Sequence, residues 1–136
     1  AFAHGINVDL GGIIHLAGYD LERSDDEIAV TLHWQALRAP GHDYKVFLHC
    51  IDTASEEIVT QRDAQPLDDT YPTGRWAAGE VVSDRLVLDM AEVPAGRYQL
   101  AVGLYDPTTG ERLVPTGNPA IISSGRVMLE AVEWGK

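Results

Sequence analysis

VPAGRYQLAVGLYDPTTGERL, residues 93–113, reads as a turn, a long strand and a hairpin. Pro94 and Gly96 supply the turn, because proline presets φ and glycine accepts positive φ. Tyr98, Leu100, Val102 and Leu104 then alternate with Gln99, Ala101, Gly103 and Tyr105. A period of two places one row of side chains on the buried face of a strand. Asp106, Pro107 and Gly110 close a hairpin, and Arg112 opens the return strand, where it is expected to face Asp106 as an ion pair. A tyrosine that follows a Pro-x-Gly turn into a late strand is also the layout of the tyrosine corner of Greek-key sandwiches.

The same reading extends outward. Strands are expected over 13–21, 28–36, 44–52, 57–62, 81–88, 97–105, 112–115 and 126–133, with a short N-terminal piece over 6–10. Gly, Pro, Asp and Ser separate them, and no stretch keeps a helical i, i+3, i+4 pattern. Ile28, Val30, Leu32 and Trp34 share one face of their strand, so Trp34 is expected in the core. Residues 44–52 are apolar on both faces, as in a strand covered on two sides or one whose outer face meets a partner. Gly11-Gly12 is a bend before a strand. The expected fold is all-β. It is a two-sheet antiparallel β-sandwich of Greek-key type, fibronectin/immunoglobulin-like or jelly-roll-like, with about eight strands, forming a single domain over 1–136.

Composition narrows the function. Asp plus Glu number 21 against 10 Lys plus Arg, a formal charge of −11. A phosphate backbone repels such a surface, so nucleic acid is not an expected partner. No run approaches the roughly 18 apolar residues of a spanning helix. The chain begins at Ala1 without a signal-peptide pattern and is expected to be a fragment of something longer. Cys50 is the single cysteine, which excludes an internal disulfide, and its place in an apolar strand suggests a buried, inert thiol.

The long segment AQPLDDTYPTGRWAAGE, 64–80, is the most suggestive loop. Trp76 offers a planar face to a sugar ring, with Tyr71 and Arg75 beside it. Asp68, Asp69 and Glu80 supply polar groups for hydroxyls. The competing expectation is that Trp76 folds down to seal the sandwich end. His33 and His49, on successive strands expected to pair as a hairpin, would with Asp63 make a zinc set. Asp63, Asp68, Asp69, Glu80 and Asp84 are a calcium alternative, although no D-x-D-x-D-G loop is present. Neither pattern enforces a metal site. No G-x-S-x-G elbow or phosphate-binding GxxxxGK loop occurs, so no catalytic residue, metal or cofactor is assigned.

Several phrases in order, IIHLAGYDL (13–21), VTLHWQA (30–36), DYKVFLHCID (43–52), QRDAQP (61–66), YPTGRWAAGEVVSD (71–84), PAGRYQLAVGLYD (94–106) and TGERLVP (109–115), resemble one pattern. It is the soluble β-sandwich region that follows the transmembrane helices in bacterial polytopic membrane proteins similar to lipid-linked-sugar-dependent, protein-mannosyltransferase-type glycosyltransferases. The resemblance implies a non-catalytic accessory module exposed outside the cytoplasm, with catalysis in the membrane portion. Its implied partners are a glycan or lipid-linked sugar and its own membrane domain. A purely structural docking module and a calcium- or zinc-binding domain are the alternatives.

Overall fold

The computed structural model describes residues 2–135. The chain forms β1 (His4–Leu10), β2 (Ile14–Arg23), β3 (Glu27–Ala36), β4 (Lys45–Asp52), β5 (Ile58–Ala64), β6 (Val81–Asp89), β7 (Gly96–Tyr105), β8 (Pro115–Thr116), β9 (Ile122–Ser123) and β10 (Arg126–Trp134). Every pairing is antiparallel. One sheet has the order β6-β3-β2-β1-β8 and the other β5-β4-β7-β10-β9, so the molecule is an all-β sandwich of two five-stranded sheets. No helix among the described residues is long and apolar enough to cross a membrane.

Side-chain alternation explains why the sheets face each other. Tyr98, Leu100, Val102 and Leu104 point into the same core as Ile28, Val30, Leu32 and Trp34 from the opposite sheet. Gly11 and Gly12, both at positive φ, turn β1 into β2. Ser124 and Gly125, also at positive φ, make the two-residue turn between β9 and β10, a backbone shape that matches strand twist. The Tyr98 hydroxyl donates to the Pro94 carbonyl at 2.7 Å, four residues back, so the tyrosine corner is present. Tyr98→Phe keeps the ring and removes only this bond. Chemical denaturation should show a loss of about 1 kcal/mol, and an unchanged midpoint would show that the corner holds nothing.

Four expectations need correction. Among the described residues there are ten strands rather than about eight, because short β8 and β9 carry no alternation to mark them. The return strand over 112–115 reduces to one bridge, Tyr105 with Arg112, before the chain crosses to pair Pro115 with Leu10. Pro115 has no N–H to extend a ladder inward from an edge. Asp106 does not pair with Arg112; it accepts from His42 at 3.2 Å, and Thr108 N–H also donates to it. Finally, β3 and β4 do not form a hairpin. The chain crosses between sheets there, β3 pairing with β2 and β6 while β4 pairs with β5 and β7.

Candidate functional site

Trp76 lies buried at 2 % exposure, with its indole N–H donating to the Tyr71 carbonyl at 3.1 Å. The expected sugar-stacking face is therefore turned into the protein, and the indole seals the sandwich end. Its neighbours are equally committed. Tyr71 donates its hydroxyl to Glu80 Oε2 at 2.7 Å, and Ala77 N–H donates to Glu80 Oε1 at 2.9 Å. The backbone bond from Ala77, then that from Tyr71, holds the Glu80 carboxyl below its usual range. Asp68 pairs with Arg62, and Asp69 accepts from Gln65 N–H. Arg75 alone opens onto a polar cleft of about 590 Å³ with His42, Asp43, Pro72 and Pro107, a wall that holds no Trp, Tyr or Phe. The structure thus brings Trp76, Tyr71 and Glu80 together as a structural knot, while Asp69 serves the loop's own turn and Asp68 ties the loop to Arg62 on β5.

The metal expectations do not assemble either. His33 accepts or donates between Ser83 Oγ at 2.9 Å and Asp20 Oδ2 at 2.8 Å on the first sheet, whereas His49 lies on the second. The crossover between β3 and β4 separates the two imidazoles. The calcium carboxylates are dispersed in the same way, since Asp84 faces the core, Asp63 faces out from β5 and Glu80 holds the loop. Among the described residues no group of three or more His, Cys, Asp or Glu is arranged to hold a metal ion. Cys50 is fully buried, and burial pushes its thiol up to about 11, which keeps it protonated and unreactive.

The outer face of the second sheet is more informative. Phe47, Ile51 and Ala101 are buried yet lie outside the central core cluster, forming a second apolar layer on the far side of β4 and β7. Phe47 sits opposite Gly103, and a Cβ at Gly103 would come within 2.4 Å of its ring. The missing side chain is what lets the ring lie flat against the strand. The Arg112 guanidinium covers the other face of that ring, 4.7 Å from its centre, and donates to the Ser124 carbonyl at 2.9 Å. The two-sided apolarity of this strand is therefore met by the protein's own chain.

Beside this layer runs a groove of about 390 Å³, lined by Phe47, His49, Gln61, Asp63, Tyr105 and Arg112. Tyr105 donates to Asp63 Oδ2 at 2.9 Å, and the Gln61 amide donates to Oδ1 at 3.1 Å. Burial, then the bond to Asp63, pushes the Tyr105 phenol up to about 12. Arg126 reaches from β10 to His49 Nδ1 at 3.3 Å. A guanidinium can only donate, so Nδ1 accepts and Nε2 carries the proton. Burial first, then the Arg126 charge, lowers the His49 pKa to about 4, so the ring is neutral at pH 7. The groove thus combines an aromatic wall, one fixed carboxylate and several N–H donors, a set suited to recognition of a polar ligand. The sequence signal for it was the apolar character of both faces of 44–52; the pairing of Phe47 with Gly103 and the two arginines carried no local pattern. No protein-family model and no curated protein matches this chain.

Proposed function

We propose that this chain is a non-catalytic accessory β-sandwich of a larger, glycosyltransferase-like membrane protein, displayed outside the cytoplasm, and that it contacts a glycan on the outer face of its second sheet. The ordered sequence phrases support the parentage. The groove beside Tyr105 supports the contact, because it sets a half-buried phenol ring next to fixed hydrogen-bonding groups. It replaces the Trp76 loop, whose indole is folded inward. The groove's polar groups fit a binding role: His49 accepts from Arg126, and Asp63 accepts from Tyr105 and Gln61, so both side chains are held in place.

Titration of the isolated chain with a panel of neutral and charged mono- and disaccharides, followed by amide shifts, tests the reading. Shifts at millimolar sugar should cluster on Phe47, His49, Gln61 and Tyr105, and Tyr105→Ala should weaken them severalfold. A panel that moves none of these amides removes the glycan contact. A docking role toward the membrane domain is the second reading, favoured by Val81, Val114 and Leu37. These are exposed at 64 %, 67 % and 46 % and all sit at one end of the first sheet. The same titration separates the two readings, since a pure docking module is silent to every sugar.

A further inference from the structure

The groove carries a charge anomaly. In a chain with a formal charge of −11, Arg112 lines the groove and Arg126, which reaches the groove residue His49, lies close enough for the two like charges to oppose each other. Three other arginines find carboxylates, Arg62 with Asp68, Arg85 with Glu22 and Arg97 with Glu133, while Arg23, Arg38 and Arg75 stand apart from one another elsewhere on the chain. Among the described residues neither Arg112 nor Arg126 makes an ion pair. The carboxylate that lines the groove, Asp63, already accepts from Tyr105 and Gln61. Arg126 Nε is buried with no acceptor, and no hydrogen bond from His49 Nε2–H is found among the described residues. Two guanidiniums held together cost Coulomb energy that an anion between them would offset. Capping Phe47 requires only Arg112, and Arg126 gives one N–H to His49 while its buried Nε stays without an acceptor.

We infer that the groove is built for a sugar bearing an oxyanion, a carboxylate or a phosphate, with Arg112 and Arg126 receiving the charge, His49 Nε2–H donating to it, and Tyr105 flanking the ring. Planar guanidinium forks match either oxyanion, and Arg–oxyanion bonds are stronger than neutral ones. Asp63 sets the orientation, because its negative charge repels the anionic end of the ligand toward the arginines. This inference rests on the glycan reading above and specifies which glycans qualify.

The test follows the His49 imidazole by NMR in the intact chain, titrated with methyl glucuronoside, glucose 1-phosphate, methyl glucoside, acetate and inorganic phosphate. A charged sugar should shift the His49 resonances at a concentration about tenfold or more below that needed for methyl glucoside. It should also raise the apparent His49 pKa from about 4, since a nearby anion favours the protonated ring. The two charged sugars distinguish a carboxylate from a phosphate source. Arg112→Gln, at an exposed position, should remove the preference, and Arg126→Lys, which keeps the charge but loses the planar fork, should weaken it, both leaving the remaining amide spectrum in place. Equal responses to methyl glucoside and to both charged sugars would overturn the oxyanion inference and leave the glycan reading standing. Acetate or phosphate acting as well as the charged sugars, with methyl glucoside inert, would support the anion site and sink the sugar. No response to any probe overturns both.

Discussion

Leu100→Ala is expected to destabilise the protein by about 2–5 kcal/mol, read as a lower denaturation midpoint with an unchanged slope. Leu100 has no solvent exposure and lies on β7, the strand that pairs with both β4 and β10. Removing its branched end deletes buried hydrocarbon and leaves a hole between two sheets whose backbones are fixed by ladders on both sides. Such a frame relaxes little, which places the cost in the upper half of the range. A domain of ordinary stability holds about 5–15 kcal/mol in total, so the variant would lose a large share of its margin. Gln99, the next residue, points to the other face and serves as the control, since Gln99→Ala should change stability far less. A Leu100→Ala cost below about 0.5 kcal/mol would contradict the inward face of β7.

Alternation made that face legible from the sequence, and it did the same for β3 and its Trp34. What alternation cannot report is which strand lies beside which. His33 and His49 sit on consecutive strands, and the sequence offers no reason to separate them; the chain nevertheless leaves one sheet for the other between residues 36 and 45. The long loop misled for a related reason. Trp76 and the carboxylates around it have the composition of a binding site, but the indole finds its acceptor in the loop's own backbone. Burial depends on that non-local folding rather than on residue type. The groove on the outer face was half legible. The apolar outward row of β4 announced a covered face, whereas the Gly103 that makes room for the Phe47 ring lies across a strand pairing, and Arg112 and Arg126 arrive from a bridge residue and a distant strand. One signal stood in plain view: in VVSDRLVLD, Asp84 occupies the same inward phase as Val82, Leu86 and Leu88.

That aspartate supports the second large effect. Asp84 is 1 % exposed, and its Oδ1 accepts from Leu67 N–H at 2.9 Å. Leu67, Asp68 and Asp69 all have positive φ, a conformation unusual for residues with a Cβ, so the carboxylate pins a loop that would otherwise relax. Its Oδ2 is buried without a partner. The Trp34 indole N–H is near enough to favour the charged form, yet the two atoms do not meet at hydrogen-bonding geometry. Burial dominates, with the Asp68 charge adding to it and the Leu67 bond and Arg62 opposing, and the carboxyl is raised to about 6. The unfolded chain has the ordinary aspartate value near 3.8. Between those values the folded protein holds a proton that the unfolded chain has released. Stability from this group therefore falls as pH rises from about 4 to about 6, by about 3 kcal/mol in all, and the penalty stays in full above that window. Asp84→Asn keeps an acceptor for Leu67 N–H and cannot ionise, so the variant should gain on the parent steadily across this interval. Denaturation of both proteins at pH 4, 5, 6 and 7 isolates the contribution, because Asp20, Glu80 and Asp106, whose lowered values act in the opposite direction, are common to the two. A stability difference that stays constant from pH 4 to pH 7 would mean that Asp84 does not carry a buried charge in the folded protein.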